Sequence, residues 1–365
     1  MFFLKGFFVI TLNTLNLSMV WGAVGFITST FLLMVFAKRL KLLDYPGGRK
    51  CHLSPTPVIG GLCLYVGFTS ALLSDTALFH QAFYFWAFAG LIVLIGVIDD
   101  RHEASARTRL IVQTVATFGL VYFSGVQLEN LGALIVHEPI HLHWLAIGVS
   151  ILFIISFLNA MNMLDGIDGL VGGIALGQAS LLWILSARAG SGLQDLLSIF
   201  IGLMVCFLFF NVSIRKGNKA KIFLGDAGST FIAFFLIWVA ISLSQQTHVS
   251  SIKPITVLWC VLFPFMDLVT VCVIRYREGK PCTLAGHDHI HHILMRRGIS
   301  PIGVTLRLSL FSLGIGLVGL VFQYIAMPEN AQFFVMVCLI FAYVVKVNQL
   351  YYREKILPSE KIGIA

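Results

Sequence analysis

The chain has 365 residues, of which 58% are hydrophobic and 12% charged, where soluble domains carry about 25% charged residues. That balance, with 31 Phe, excludes a soluble globular protein and suits one bundle of membrane helices. The net charge of +8 sits in loops beside apolar segments, which excludes nucleic acid and points to anionic lipid headgroups and anionic substrates.

A helix needs about 20 apolar residues to cross the hydrocarbon. In chain order the apolar runs predict eleven spans: Leu17–Ala37, Val58–Ser74, His80–Ile98, Leu110–Gly125, Trp144–Asn159, Leu170–Ser186, Leu196–Asn211, Thr230–Ser244, Ile255–Ile274, Val304–Ala326 and Phe333–Lys346. Several are short, so the expectation is an all-α integral membrane protein, a polytopic bundle of about 11 transmembrane helices (10–11), forming one domain over residues 1–365. Met1–Leu12 is apolar, too short to span, and lacks a clear cleavage site, so it reads as a helix extension or interfacial segment. No internal repeat or low-complexity stretch interrupts the pattern.

Of the 25 Lys and Arg, 22 fall in every second gap between these runs: 38–50, 101–109, 215–221, 275–307 and 346–361. Positive charge stays on the cytoplasmic side. The N-terminus is therefore expected to be periplasmic and the C-terminus cytoplasmic. Five of the seven Cys lie within apolar runs, and Cys51 and Cys282 lie in basic gaps. No paired spacing suggests a disulfide or a zinc site. In the longest outer loop, 126–143, Glu129, Glu138 and three His read better as a solvated loop than as metal ligands.

The basic gaps also hold nearly all the candidate chemistry. The first carries Arg49, Lys50 and His52 among Gly and Pro turns, cations suited to phosphate or simply a positive-inside anchor. The second opens with Asp99-Asp100, followed by Arg107 and Arg109. Adjacent carboxylates raise each other's pKa unless a cation shares the site. An acid at a helix C-terminus also opposes the macrodipole, so the placement asks for a reason. The third reads Asn162-Met-Leu-Asp165-Gly-Ile-Asp168-Gly. In a helical turn Asn162, Asp165 and Asp168 would share a face, although Asp168 could also be an ordinary helix cap. The fourth follows Asn211 and places Asp226 between Gly225 and Gly228 at the start of a span, where phosphate can approach a helix N-terminus. The fifth contains His287, His289, His291 and His292, a metal tract or the lining of a sugar-phosphate pocket. Asp267 is the one acid deep within a span, a functional candidate by default or a hydrogen-bonding group of the bundle.

Taken in order, Thr56-Pro57 with Gly60-Gly61, Asp99-Asp100, Asn159 to Gly169, Asn211, Phe223 to Ser229, Pro264 with Asp267, and His289-Ile-His-His292 make the chain resemble the polyprenyl-phosphate N-acetylhexosamine-1-phosphate transferase family over residues 44–298. The resemblance implies transfer of N-acetylglucosamine 1-phosphate from UDP-N-acetylglucosamine to undecaprenyl phosphate, with UMP released. That is the first membrane step of O-antigen or surface polysaccharide synthesis; another UDP-N-acetylhexosamine is the alternative donor. It implies magnesium, with manganese able to replace it, and Asn162 and Asp226 as its ligands. It implies catalytic roles for Asp99, Asp100, Asp165 and Asp168. Substrate binding falls to His52, Arg107, Arg109, Asn211, His289, His291 and His292. The expected location is a bacterial inner membrane, with the site on the cytoplasmic face and membrane lipid around it; a homodimer is left open.

Two departures stand out. Gly286 and His287 replace the acid and base that often precede the histidine motif. Arg107 and Arg109 stand where relatives often carry Lys; Arg grips phosphate bidentately, so this exchange need not cost function. A lipid monophosphate has a second pKa near 6 and is largely ionised at neutrality, so a general base would help only modestly. A transporter, the rival class, would place polar groups and broken helices at the membrane midplane, whereas these acids cluster at one interface.

Overall fold

The computed structural model describes residues 17–45, 55–135, 138–212, 220–245, 252–281, 286 and 288–356. His52, Cys51, Cys282, His287 and Met1–Leu12 lie outside them. Thirteen α-helices are described: α1 (Leu17–Leu40), α2 (Gly60–Leu73), α3 (Thr76–His102), α4 (Ala106–Ser124), α5 (Ala146–Leu164), α6 (Leu170–Ala189), α7 (Gln194–Asn211), α8 (Gly225–Ser244), α9 (Pro254–Cys260), α10 (Leu262–Arg277), α11 (Ile290–Arg296), α12 (Pro301–Tyr324) and α13 (Glu329–Ile356). Each of the eleven apolar runs coincides with a helix or, for Ile255–Ile274, with a pair.

Eight of these helices are long and apolar enough to cross a membrane, and the bent pair α9–α10 makes up to nine. The protein is thus an all-α, multi-pass membrane protein. Helix α2 has only 14 residues, and α4 opens with Arg107 and Arg109; neither passes as a span among the described residues. The break between α9 and α10 turns the chain by 72°. Its cause is local. Pro264 has no N–H to give the carbonyl four residues back, which belongs to Cys260, the last residue of α9.

Helix α8 is the centre of the bundle, with 89% of its apolar window buried. Its rings interlock with neighbours: Phe235 stacks on Phe200 at 4.1 Å, and Trp238 stacks on Phe85 at 4.6 Å. Glycines let backbones meet around its first turns. Gly61 of α2 lies against Ala227 and Gly228, and Gly96 of α3 lies against Ala227, with no room for a Cβ at either position.

At the same end, β1 (Leu43–Asp44) pairs antiparallel with β2 (Thr56–Pro57), Leu43 opposite Pro57 and Asp44 opposite Thr56. The segment before α8 then joins this ribbon: the Phe223 N–H donates to Pro57 O, and the Gly60 and Gly61 N–H groups donate to Phe223 O and Leu224 O. The opposite end is tied separately. Gln245 accepts the Glu129 and Asn130 N–H groups, and Glu329 accepts the Ala133 N–H at 3.0 Å.

Candidate active site

The sequence motifs converge at the ribbon end of the bundle. Helix α3 runs past the predicted Ile98 to His102, so both acids sit in its last turns. Asp99 Oδ2 accepts from Arg109 Nη1 at 2.8 Å, and the same nitrogen donates to Asp226 Oδ2 at 2.6 Å. One guanidinium thus bridges the ends of α3 and α8. Arg109 reaches this point because Ser105 caps α4, accepting the Thr108 N–H at 3.1 Å. Arg107, two positions earlier and exposed, does not share its face.

Asp100 has a different environment. Its Oδ1 accepts the Asp226 N–H at 2.8 Å, and its Oδ2 the Ala227 N–H at 3.3 Å. The reason sought for an acid at the C-terminal end of α3 lies here: it meets the positive end of α8. Asp226 lies inside the first turn of α8, which begins at Gly225, and its own carboxylate turns outward to Arg109.

The third motif is not helical throughout. Helix α5 stops at Leu164, with Asp165 as its cap at φ −76°, ψ 63°. Gly169 adopts φ +79°, so residues 165–169 form a turn. The expected common helical face for Asn162, Asp165 and Asp168 is therefore corrected: Asn162 is on the helix and the two acids are on the turn. Asn162 Nδ2 donates to Ser229 Oγ at 3.1 Å, placing it beside Asp226's turn. The Asp165 carboxyl is held well above the usual carboxylate range, first by burial, then by the charges of Asp226, Asp100 and Asp168. Asp168 is exposed, and its carbonyl accepts from Thr305 Oγ1 at 3.0 Å.

Asn211 is buried, and its amide is used within the protein. Oδ1 accepts the Gly169 N–H at 2.6 Å, and Nδ2 donates to Ile222 O at 3.0 Å. It pins the aspartate turn to the segment leading into α8. In the histidine motif, His289 Nδ1 lies 2.7 Å from Asp267 Oδ2, both buried. The Ile290 N–H also donates to Asp267 Oδ1, at 3.3 Å. Asp267, open at the sequence level, is thus the anchor of His289. His291 stacks on His289 with centroids 5.7 Å apart and adjoins His292 at 4.1 Å. Its ring covers Gly166, where a Cβ would not fit. The histidines and the aspartate turn therefore form one wall.

Sequence reading missed Ser229 as Asn162's partner and Gly96 as the contact that seats Asp100. The second had a signal: Gly96 and Asp100 are four apart, on one helical face.

Among the described residues no three His, Cys, Asp or Glu side chains are grouped to hold a metal on their own. The two candidate ligands are nevertheless hard oxygen donors: the Asp226 carboxylate, which meets Arg109, and the amide of Asn162, whose nitrogen is taken up by Ser229 in the same helix as Asp226. Magnesium is usually held by one or two carboxylates plus substrate phosphates and waters. A pair of protein ligands therefore fits that chemistry without a dedicated cage.

The comparisons with known proteins bear on the class of the protein. Residues 82–244 match glycosyl transferase family 4. The undecaprenyl-phosphate alpha-N-acetylglucosaminyl 1-phosphate transferase of Escherichia coli (strain K12) is 31% identical over 319 residues, covering 86% of each chain. The protein of that name from Yersinia pestis is 30% identical over 316 residues, 85% of this chain and 86% of its own. The one from Haemophilus influenzae is 28% identical over 315 residues, 86% of this chain and 88% of its own. A multi-pass bundle with an acidic cluster at one end and these relatives is a membrane-embedded transferase. The chain belongs to glycosyl transferase family 4 and is a phosphoglycosyltransferase.

Proposed function

We propose that the protein transfers N-acetylglucosamine 1-phosphate from UDP-N-acetylglucosamine to undecaprenyl phosphate, at the cytoplasmic face of a bacterial inner membrane, as the opening step of a surface polysaccharide such as O-antigen. The observation that carries this reading is the meeting of Asp99, Asp226 and Arg109, with Asn162 and Asp165 alongside, at the end of an apolar bundle whose relatives bear that activity in their names. Of the eleven spans in the proposed topology, α2 is a short one, and the basic loops face the cytosol.

In this reading a phosphate oxygen of the lipid attacks the sugar-bearing phosphorus of the nucleotide. The bond from that phosphorus to the bridging oxygen breaks, and UMP leaves with the oxygen. The nucleophile is already ionised, so the protein's task is to hold two anions together and to balance charge. Arg109 is placed to grip a phosphate, exchanging its carboxylate partners for it. Asp226 and Asn162 would hold magnesium, or manganese in its place. The metal, when bound, would neutralise charge developing on the departing phosphate. Asp99 orients Arg109. Asp165 and Asp168 line the approach of the nucleotide. His291 and His292 face the sugar phosphate, held by His289, and Asn211 keeps the aspartate turn in register. His52 supplies a further cation from the first loop.

The test is an assay in detergent, where no compartment separates two sides. Purified protein, lipid phosphate, magnesium and a panel of UDP-sugars should give lipid diphospho-sugar and UMP, with UDP-N-acetylglucosamine the best donor. Absence of UMP release across the panel would sink the reading, and preference for another UDP-N-acetylhexosamine would redirect it. A transporter would show no chemistry at all. Labelled UMP should enter UDP-sugar only with lipid present; rapid exchange in delipidated enzyme would instead indicate a covalent intermediate.

A further inference from the structure

Asp99 and Asp100 are neighbours in sequence, but successive residues of a helix point about 100° apart. Asp99 faces Arg109 and, through it, Asp226. Asp100 faces the backbone of α8, and each of its two oxygens accepts one main-chain N–H there. The surroundings are built for this. Gly96, one turn before Asp100, brings α3 against Ala227. Gly225 adopts φ +73°, and a Cβ added to it would lie 2.5 Å from Val58 Cγ1 and 2.6 Å from Asp100 Oδ2. The first turn of α8 also presents Ser229 to the Asn162 amide at 3.1 Å.

We propose that Asp100 is a positioning residue: by binding the Asp226 and Ala227 N–H groups it sets the first turn of α8, and so aims the Asp226 carboxylate and seats Asn162. This rests on the reading of Asp226 and Asn162 as cation ligands, and it separates the two adjacent acids into different jobs. Asp99 acts at the phosphate-binding arginine. Asp100 acts through Asp226 and touches neither substrate nor metal.

The experiment compares purified full-length wild type, Asp100→Asn, Asp100→Ala, Asp99→Asn and Asp226→Asn in detergent. Three quantities are read: amide exchange of residues 225–230 by mass spectrometry, Mn2+ binding by electron paramagnetic resonance, and kcat against magnesium concentration. Loss of the two backbone acceptors in Asp100→Ala should speed exchange of those amides about tenfold, the worth of roughly one hydrogen bond. Its Mn2+ affinity should fall about 10–100-fold, as for other residues that orient metal ligands, with kcat largely recovered at high magnesium. Asp100→Asn keeps one carbonyl acceptor and should lie between. Asp99→Asn should leave exchange and Mn2+ affinity unchanged while kcat falls.

Wild-type exchange and wild-type Mn2+ affinity in both Asp100 variants, with kcat lost as in Asp99→Asn, would overturn the proposal. If Asp100→Ala does not purify as a monodisperse protein, Asp100→Asn decides alone. Failure of the metal reading is recognisable separately, because wild type and Asp226→Asn would then bind Mn2+ equally poorly. Exchange at 225–230 would still report whether Asp100 holds that turn.

Discussion

Helices α8 and α13 are both apolar enough to cross a membrane, yet 89% of the apolar window of α8 is buried in protein and only 17% of that of α13. Apolar character therefore places a helix in the bilayer but says nothing about whether it faces lipid or protein. What separates the two is their small residues and their first turns. Helix α8 opens Gly-Asp-Ala-Gly-Ser-Thr, which lets α2 and α3 approach its backbone and leaves one carboxylate directed at a cation. Helix α13 opens Glu-Asn-Ala-Gln-Phe-Phe and sets bulky side chains such as Phe341 outward. The centre of the bundle is where packing is least forgiving and where the proposed chemistry is attached.

The largest expected effect comes from the charged end of α8. Asp226→Asn should reduce turnover about 10²–10³-fold or more, the usual loss for one electrostatic stabiliser, with membrane insertion intact. Arg109→Ala should fall in the same range, since it frees both Asp99 and Asp226 from their shared partner. UMP release by membranes normalised for protein content measures both. Full activity of Asp226→Asn, or of wild type in excess chelator, would remove the central helix from the chemistry.

Next comes packing. Phe235 is fully buried against Phe200, and Phe235→Ala should cost about 3–5 kcal/mol. Gly61→Ala drives a Cβ into the backbone of Gly228, with an expected cost of about 1–3 kcal/mol. Thermal unfolding in detergent, followed by size-exclusion fluorescence, should show both as clear losses. The matched control is Gly314→Ala in α12. No atom lies within 4 Å of the added Cβ there, so stability should hold or rise slightly.

Much of this was legible in the sequence, and the limits were physical. Hydropathy located every described helix except the short α11, and it read the bent pair α9–α10 as one run, because a lipid-facing or protein-facing span needs the same apolar composition. The aspartates stood out because acids are costly in so apolar a chain. Which of two adjacent acids faces a cation depends on helical phase and on the partner, and Asp226 is 127 positions from Asp99 and 126 from Asp100 in sequence. Asp165 and Asp168 were placed on a helix by their spacing, but Gly166 and Gly169 end that helix with a turn. The pairing of Asp267 with His289 crosses the loop between α10 and α11, and no local pattern encodes it.

A smaller effect follows from Asp165. Its carboxyl is raised well above the ordinary range by burial and by neighbouring carboxylates, so it holds its proton to higher pH than a free Asp, whose pKa is about 3.9. A cation in the cluster favours the ionised form, and the proton competes with it. The sign is then fixed. The magnesium concentration for half-maximal activity should fall as pH rises through the raised pKa, by up to about tenfold per unit if one proton is released. Asp165→Asn should flatten this dependence, whereas a slope unchanged in that variant would assign the proton elsewhere.

The smallest effect is expected at the periphery, and it tests the comparison from the other side. Phe341 of α13 is 70% exposed. In a bilayer its ring exchanges protein-free surface for acyl chains, which are as apolar as the ring itself. Truncation there opens no cavity, because lipid or detergent follows the surface. Phe341→Ala should therefore stay within about 0.5 kcal/mol of wild type, with unchanged turnover. Phe235→Ala removes the same atoms from the same kind of apolar helix at the centre. A loss for Phe341→Ala approaching that of Phe235→Ala would mean that the outer face of α13 is covered by something more specific than lipid. The division of the bundle into a packed, chemically armed centre and an indifferent rim would then have to be redrawn around that face.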